Sequence, residues 1–320
     1  MTKEMRLAVV IPCYKVTKQI RDVIAKIGAN IHLIYVVDDY CPDNSGDYVK
    51  QHSQDNRIKI LHNPVNLGVG GAVINGYHAA IADGADIVIK LDGDGQMDPD
   101  LINRLIKPIT AGDADYVKGN RFYSLNDFEN MPRVRLFGNA ILGLVTKVSS
   151  GYWSIYDPTN GFTAIHRIAL SRLNLDKISN GYFFETDMLI NLGGIGARVM
   201  DMPMKSVYAN EKSNLSIKSI IKEFFKKHCK SIAKRLILTY IFRDFSVGSL
   251  NLIFGLILTT FGIIWGSVYW IDSIQTSISA STGTIMIAVL TIILGFQLLL
   301  SFLSFDINNE PRIALQKYSE

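Results

Sequence analysis

Two long uncharged stretches near the C-terminal end constrain the fold of this chain most. Residues 245–271 and 273–305 carry no charged side chain, and only Asp272 separates them. About 20 helical residues cross a hydrocarbon core of about 30 Å, so each stretch is long enough to span a membrane. A pair of buried core helices is the alternative, but such helices rarely run so far without a charge. We therefore predict two transmembrane helices, at about 246–271 and 283–304.

Lysine and arginine are unevenly distributed around these spans. The loop between them, about 272–283, contains neither residue, whereas the segment before the first span is rich in both. Because positive residues stay on the cytoplasmic side of a membrane protein, we predict a multi-pass protein of the cell (inner) membrane. Its N-terminal region and its C-terminal tail, 306–320, are then cytoplasmic. The basic residues before the first span are Lys218, Lys222, Lys226, Lys227, Lys230, Lys234, Arg235 and Arg243.

The segment 216–243 interleaves these basic residues with isoleucine, leucine and phenylalanine in an amphipathic pattern. Its position directly before a span predicts an interfacial juxtamembrane helix. An ordinary surface helix packed on the preceding domain is the alternative. Much of the positive excess behind the net charge of +4 lies in this segment, which favours a bilayer with anionic lipid, rather than nucleic acid, as the partner.

The N-terminal part of the chain alternates strand-like and helix-like segments. Continuous apolar runs at 7–12 and 33–37 flank a segment, 18–31, that has apolar residues at helical spacing, which is the pattern of a βαβ unit. The alternation continues to about residue 109 and predicts an open α/β sheet. Residues 113–203 have a weaker periodicity and are expected to form loops and short helices.

Acidic residues follow two of the predicted strands. Asp38 and Asp39 come after one strand, and Asp92 and Asp94 come after another, within the sequence DGDGQ. In open α/β sheets, ligands bind beyond the carboxyl ends of the strands. Two carboxylates one residue apart suit a hard divalent cation, Mg2+ or Mn2+, which neutralises the charge of a departing nucleotide diphosphate. Acidic turns are common, so the preceding strand is what strengthens this signal.

Six motifs in a fixed order are similar to those of a known enzyme family. The chain resembles family 2 glycosyltransferases of the GT-A fold and, within them, the polyprenyl-phosphate glycosyltransferases akin to dolichyl-phosphate mannose synthase. The resemblance implies a Rossmann-like catalytic domain at 1–215, followed by the juxtamembrane segment 216–243, a transmembrane hairpin at 244–305 and the tail. The motifs are VVIPCYK (9–15), VVDDYCPDNSGD (36–47), NPVNLGVGGAVINGY (63–77), KLDGDGQMDPD (90–100), GNRF (119–122) and DPTNGFTAIHR (157–167).

The resemblance also implies roles on the donor side. Asp39 is similar to the acid that binds the nucleotide base, and Asp92 resembles the carboxylate nearest the ribose and the metal. Asp94 and Gln96 are the more direct metal ligands, so the implied metal set is Asp92, Asp94 and Gln96. The residues implied for binding the nucleotide sugar are Pro12, Tyr14, Asp39, Asn66, Gly68, Gly71, Asp92 and Asp94.

Four acids are candidates for a catalytic role: Asp94, Asp157, Glu185 and Asp187. Asp157 is either an Asx-type turn before a proline or an active-site acid that faces the acceptor. Glu185 and Asp187 lie where other family 2 enzymes carry their catalytic acid, and Asp187 can also be a simple helix-face charge, so the base is not placed uniquely. A lipid monophosphate acceptor weakens the need for a base, because its second pKa is about 6 and it is largely dianionic at pH 7.

An anionic acceptor instead needs cationic side chains to bring it to an anionic donor. Each such side chain, taken alone, is more often a surface charge. The candidates for contact with the acceptor phosphate are Arg121, Arg133, Arg135, Arg167 and Lys212.

The resemblance implies an inverting, metal-dependent hexosyltransferase that acts in cell-surface glycan synthesis. The donor is a UDP-sugar or GDP-mannose, and the acceptor is polyprenyl (undecaprenyl) phosphate. No glutamine begins a Gln-x-x-Arg-Trp motif, which argues against a polymerising synthase. The alternatives are a transferase with another lipid or saccharide acceptor and a non-catalytic module that binds nucleotide sugar or lipid phosphate. Gly262 and Gly266 form a small-residue pattern compatible with a homo-oligomer.

Overall fold

The chain forms two compact units. The computed structural model describes residues 5–123, 133–204 and 217–318. One unit comprises Met1–Ser231 together with Pro311–Glu320, and the other comprises Ile232–Glu310.

The first unit is built on one seven-stranded sheet. Its strands are β1 Leu7–Cys13, β2 Leu33–Asp38, β3 Ile58–His62, β4 Ile87–Lys90, β5 Tyr116–Asn120, β6 Thr163–His166 and β7 Val199–Pro203. The order across the sheet is β3-β2-β1-β4-β6-β5-β7. Strand β6 is antiparallel to β4 and β5, and the other pairs are parallel.

Helices connect these strands and continue into the second unit. The helices are α1 Ile20–Ala25, α2 Ser45–His52, α3 Gly68–Ala82, α4 Ile102–Thr110, α5 Arg133–Ser150, α6 Arg167–Arg172, α7 Phe184–Ile195, α8 Ile217–Ile237, α9 Val247–Thr276 and α10 Thr282–Asn308. Short 3-10 turns lie at Pro99–Leu101, Leu175–Lys177 and Leu315–Tyr318, and a π turn lies at Leu238–Arg243.

Two apolar layers cover the two faces of the sheet. On one face, Tyr77 of α3 and Phe184 of α7 pack with Tyr35 of β2. On the other face, Ile20 of α1 and Leu105 of α4 pack with the alternate strand residues. Strands covered on both faces are apolar at every position, which explains the continuous apolar runs. The predicted open α/β sheet is confirmed.

The region 113–203 has more regular structure than its weak periodicity predicts. It contributes β5, β6, β7 and the 18-residue helix α5, so the expectation of loops and short helices was wrong there. Lys118 in β5 and Asp201 in β7 interrupt the apolar runs by which buried strands are recognised. These polar residues belong to a cluster inside the fold, described below.

The second unit contains two long apolar helices. Helices α9 and α10 have 30 and 27 residues, and their best windows have a mean hydropathy of 2.0 and 2.5. By length and composition both helices can cross a membrane, and only 28% and 17% of those windows is buried within the chain. Gly255 and Gly295 let the two helices approach closely, since a Cβ at Gly255 would lie 3.1 Å from the carbonyl oxygen of Gly295.

The C-terminal tail returns to the first unit through a buried acid at the start of β5. The carboxylate of Asp115 accepts hydrogen bonds from the backbone N–H groups of Arg198, Leu315 and Gln316, at 2.9, 2.8 and 3.3 Å. Leu315 is buried in the same core layer as Tyr35. The chain therefore leaves the first unit before α9 and re-enters it after α10.

Candidate functional site

The candidate site lies at the carboxyl ends of β1, β2 and β4. These strands are adjacent and parallel, so the residues that follow them meet at one edge of the sheet. Pro12 lies at the end of β1 and the half-exposed Tyr14 follows that strand, while Asp39 follows β2 and Asp92 follows β4. The sheet thus brings together the donor-side residues that the sequence predicts.

The two acids after β2 are buried and hydrogen-bonded to the chain itself. Asp38 accepts from the backbone N–H groups of Cys41 and Gly46, both at 2.7 Å. Asp39 accepts from the side-chain amide of Asn63 at 2.7 Å. Asp39 also accepts from the backbone N–H groups of residues 67 and 68, at 2.9 and 2.8 Å. The predicted contact of Asp39 with a base stays a prediction, and the structure shows that this acid positions the loop 63–68.

The glycines after this loop let α3 approach the segment before α7. Gly68 has a φ of +83°, and a Cβ there would lie 2.8 Å from the carbonyl oxygen of Asn180. Gly71 donates its N–H to that same oxygen at 3.1 Å, and Asn66 accepts from the N–H of Gly68 at 3.2 Å. The Asn180 backbone therefore accounts for the small residue at Gly68. The Leu67 side chain, 2.4 Å from a Cβ at Gly71, accounts for the small residue there. The approach of either glycine to a nucleotide stays a prediction.

The DGDGQ loop carries the oxygen ligands that a divalent cation requires. Asp92, Asp94 and Gln96 are all half-buried, and the carboxylate of Asp94 accepts the backbone N–H of Gln96 at 3.0 Å. Within the described ranges, no three His, Cys, Asp or Glu residues converge into a complete metal cage. Mg2+-type cations are commonly held by one or two carboxylates, with phosphate oxygens and water as the other ligands. The donor set fits that kind of site.

A buried lysine, Lys90, lies beneath this loop at the end of β4. Its ammonium group contacts the carboxylates of Asp92 at 2.8 Å and Glu185 at 3.2 Å, and it donates to the carbonyl oxygen of Gly161 at 3.3 Å. Burial alone would lower the pKa of Lys90, but the charges of Asp92 and Glu185 outweigh burial and raise that pKa above its ordinary value. Lys90 is therefore a permanent cation at the centre of the site.

Arg121 and Asp157 form a two-point ion pair on the other side of the site. Asp157 is fully buried, and its carboxylate accepts from Nε of Arg121 at 2.7 Å and from Nη2 at 3.0 Å. The hydroxyl of Thr159 also donates to this carboxylate at 3.3 Å. Asp157 therefore holds Arg121 in place, and its role toward the acceptor stays a prediction.

The two acids at the start of α7 have different surroundings. Glu185 points to Lys90, as described above. The carboxylate of Asp187 accepts from both the N–H and the hydroxyl of Ser179, each at 2.8 Å, and from Asn191 at 3.2 Å. Asp187 therefore holds the segment before α7, and it points away from the acids that collect around Lys90.

A second buried lysine and a half-buried acid extend this cluster across the sheet. Lys118 of β5 and Lys90 of β4 both pair in register with Thr163 of β6, and Lys118 pairs with Asp201 of β7. Burial lowers the pKa of Lys118 to about 8. Burial likewise raises the pKa of Asp201 to about 7, although Asp201 accepts the backbone N–H of Tyr156 at 2.8 Å.

Two of the five predicted acceptor-side cations, Arg121 and Arg167, have described side chains, and these two lie at opposite ends of the sheet. Arg167 contacts Asp86 at 3.4 Å, at the amino end of β4, which is the opposite end from Asp92 and about 20 Å away at about 3.3 Å per strand residue. The prediction that Arg167 binds the acceptor is wrong for this reason. Arg121 lies at the site. The side chains of Arg133 and Arg135 and the whole of Lys212 lie outside the described part of the chain.

Lys90, Lys118 and Asp201 are the site residues that sequence reasoning missed. Each has a signal, because a charged residue interrupts an otherwise apolar strand, as in IVIK and YVKGN. Such residues are almost never fully buried unless they are paired, so a lysine inside a predicted buried strand indicates a carboxylate partner nearby. The cluster as a whole can bind a phosphate-bearing ligand through its cations and a divalent cation through its acids.

The sequence matches Glycosyl transferase family 2 over residues 8–173, just over half of the chain. The UDP-N-acetylglucosamine-dolichyl-phosphate N-acetylglucosaminyltransferase of Methanococcus voltae is 30% identical over 62% of this chain and 84% of its own. The undecaprenyl-phosphate mannosyltransferase of Micrococcus luteus is 28% identical over 63% of this chain and 84% of its own.

The fold is similar to that of solved structures. Glucosyl-3-phosphoglycerate synthase of Mycobacterium tuberculosis, in complex with UDP, aligns with a TM-score of 0.55 at 16% identity, over 72% of this chain and 80% of its own. A complex of the same synthase with Mn2+, UDP and phosphoglyceric acid aligns with a TM-score of 0.52 at 18% identity, over 72% and 78%. At this level of identity the likeness concerns the fold.

Proposed function

Because the chain belongs to glycosyl transferase family 2, we propose that this glycosyltransferase moves a sugar from a nucleotide diphosphate to polyprenyl phosphate at a membrane. The observation that carries the proposal is the arrangement of Asp92 and Asp94 beside Lys90 and the pair of Arg121 with Asp157. It combines acids for a metal with cations for phosphate. Relatives named for dolichyl-phosphate and undecaprenyl-phosphate support this acceptor class.

The donor we favour is a UDP-sugar, with a mannose donor such as GDP-mannose as the alternative. A relative named for UDP-N-acetylglucosamine and a structural neighbour solved with UDP support the first choice. Asp94 and Gln96 would hold Mg2+ or Mn2+, with Asp92 beside them. A divalent cation bound there neutralises the charge that develops on the departing nucleotide diphosphate.

The acids of the site favour an acceptor that is already ionised. Asp157 is engaged by the guanidinium of Arg121, and Glu185 is engaged by the ammonium of Lys90. An acid held in an ion pair is a poor base for a sugar hydroxyl. A phosphate monoester needs no such base at pH 7, and its oxygen can attack the anomeric carbon opposite the leaving group, with inversion. We propose Arg121 as the cation that orients that phosphate, which its position beside Asp157 supports.

The second unit suits an enzyme whose acceptor lies in a bilayer. We propose that α9 and α10 cross the membrane and that residues 1–215 act as the catalytic domain at its cytoplasmic face. The chain leaves the first unit before the hairpin and re-enters it at Pro311, so we expect both ends of the hairpin to lie on the same side of the membrane. The basic segment 216–243 would lie along the interface on that side.

The test is transfer of radiolabelled sugar into the organic phase. Purified full-length protein is incubated with undecaprenyl phosphate, Mn2+ or Mg2+ and a panel of nucleotide sugars, one at a time. We expect metal-dependent label in the lipid with one donor. Undecaprenol, which lacks the phosphate, is the matched control acceptor and should take no label.

Two outcomes would contradict the proposal. Equal transfer to undecaprenol would show that a hydroxyl is the nucleophile. Label that appears only in water, or no turnover of any donor by folded protein, would favour another acceptor or a module that binds without catalysis.

A further inference from the structure

Lys90 is an almost completely buried charged group beneath the proposed metal loop. Its side chain is 1% exposed, and it lies between two carboxylates from different elements, Asp92 after β4 and Glu185 at the start of α7. A third contact, at 3.3 Å, is with the carbonyl oxygen of Gly161, in the loop that follows Asp157. One ammonium group therefore joins three segments that meet at the site.

The loop on the far side closes tightly over this ion pair. A Cβ at Gly161 would lie 2.4 Å from Nζ of Lys90 and 2.7 Å from Oδ2 of Asp92. Oδ1 of Asp92 is occupied by Lys90 at 2.8 Å. Oδ1 of Asp92 is thus paired with Lys90, and Oδ2 lies where only a residue without a side chain at position 161 leaves room for it.

We propose that Lys90 is a positioning residue that acts through Asp92. It fixes the Asp92 carboxylate against Gly161 and Glu185, and it leaves Asp94 as the acid that takes the divalent cation. This inference rests on the proposed function and adds to it that the two acids of the DGDGQ loop have different roles. Burying a lysine charge destabilises a protein unless the charge is well paired. The charge of Lys90 is therefore compensated only while Asp92 and Glu185 keep their positions.

The charge of Lys90 makes the inference testable. A cation 2.8 Å from Asp92 weakens the attraction of that carboxylate for a second cation. Removal of the lysine charge should therefore strengthen metal binding. It should also slow transfer, because Asp92 and Glu185 are no longer held in place. A residue with only a role in folding would move neither quantity in protein that remains folded.

The experiment compares Lys90→Met with the wild type as full-length purified protein. Binding of Mn2+ is measured by electron paramagnetic resonance without donor or acceptor, and transfer rates are measured at saturating Mn2+. We expect the Mn2+ dissociation constant to fall about 5-fold and kcat to fall about 100-fold. In case Lys90→Met fails to fold, Lys90→Gln is the second variant, because it removes the charge but keeps a side-chain donor near Asp92, and it should show the same two opposite changes.

Lys59→Met is the control. Lys59 of β3 is also paired with an acid, Asp83 after α3, at 2.6 Å, but this pair lies outside the proposed site. Its loss should leave the Mn2+ dissociation constant within 2-fold of the wild type.

Different results would overturn different conclusions. If the folded Lys90 variants keep both the Mn2+ dissociation constant and kcat within 2-fold of the wild type, the positioning role is wrong while the proposed function stands. If the Lys90 variants bind Mn2+ more weakly, Lys90 does not oppose the cation and the inference also fails. Wild-type protein that binds no Mn2+ would overturn the proposed metal site and this inference together.

Discussion

The acid pairs Asp38-Asp39 and Asp92/Asp94 follow strands on either side of β1, yet the structure uses them differently. The first pair is buried, and its four oxygens are engaged by backbone N–H groups and one side-chain amide. The second pair is half-buried, with the Asp92 side chain 27% exposed. Asp92 is paired with the Lys90 side chain, and Asp94 accepts the backbone N–H of Gln96.

The difference shows what turns an acidic strand end into a ligand site. A buried carboxylate whose oxygens accept backbone N–H groups fixes a loop and is shielded from a cation in solvent. A carboxylate in a partly exposed loop can offer its oxygens to a metal. Acid pairs that look alike in sequence therefore divide into one that builds the site and one that can bind within it.

The largest effect should come from Asp94→Asn. The substitution keeps the shape of the side chain and removes the charge that the proposed metal requires, which is worth several kcal/mol in such sites. We expect the rate of transfer to fall about 1,000-fold, or about 4 kcal/mol, with the unfolding temperature nearly unchanged. Asp100→Asn, at an exposed acid in the same loop, is the control. An undiminished rate at saturating metal would show that Asp94 is no ligand.

Asp39→Ala should act mainly on stability. It leaves the Asn63 amide and the N–H of residue 67 without this acceptor, while the N–H of residue 68 keeps only its longer bond to Asn66. Unsatisfied buried donors cost about 1 to 3 kcal/mol each, and we expect a total of about 3 kcal/mol. This corresponds to about 8 °C in unfolding temperature for a unit of this size.

The control for Asp39→Ala is Asp43→Ala, at an exposed acid of the same turn. Thermal unfolding followed by intrinsic fluorescence separates the two variants. If both unfold at the wild-type temperature, the backbone bonds of Asp39 are not what holds the loop, and its role lies with the nucleotide.

Asp115→Ala extends the comparison to the opposite end of the sheet. This buried acid also accepts backbone N–H groups, two of them from the C-terminal tail. We expect a loss of about 2 kcal/mol, or about 5 °C in unfolding temperature, with the transfer rate unchanged because the proposed site is remote. Deletion of residues 311–320 should reproduce this loss.

The half-exposed pair of Asp113 with Lys317 provides the contrast to Asp115. Their contact is 3.4 Å long, and an exposed ion pair contributes about 1 kcal/mol or less. Asp113→Ala should therefore change the unfolding temperature little. A loss as large as that of Asp115→Ala would mean that surface charge, not the buried carboxylate, holds the tail.

The smallest effect should come from Asp201, an acid with too few donors. Oδ2 accepts one N–H, and Oδ1 has no hydrogen-bond partner among the described residues. Burial raises the pKa of Asp201 to about 7, so the folded protein holds this proton more tightly than the unfolded chain. The stability linked to it is present at low pH and is lost as the pH rises from about 4 to about 7.

Asp201→Asn mimics the protonated acid and tests this sign. Its advantage over the wild type should grow by about 1 kcal/mol between pH 5 and pH 8, or about 3 °C in unfolding temperature. Measurement of both proteins at both pH values checks this. An advantage that shrinks with rising pH would mean that Asp201 is ionised and stabilising in the folded state.

The apolar pattern predicted much of the fold. Strands such as β1 and β2 are covered on both faces, so every position is apolar and the run can be read directly from the sequence. The strands β5 and β7 could not be read in this way, because Lys118 and Asp201 lie in them. Their burial depends on partners from distant segments, which a local pattern does not contain.

The sequence likewise predicted some features of the candidate site and missed others. Asp92, Asp94 and Gln96 follow a strand, and their place at the sheet edge follows from that strand. The engagement of Asp187 by Ser179 and the distance of Arg167 from the site were not readable, since both depend on where a later segment packs.

By itself, the sequence determined the open α/β unit, the two apolar helices and the acidic edge of the sheet. These features depend on hydrophobic periodicity and on the order of residues along one strand, which are local properties. Only the tertiary structure decided which acids bind backbone and which face a ligand, and that Lys90 joins Asp92 to Glu185. Buried charges are stable only beside partners, and those partners come from parts of the chain that meet only when it folds.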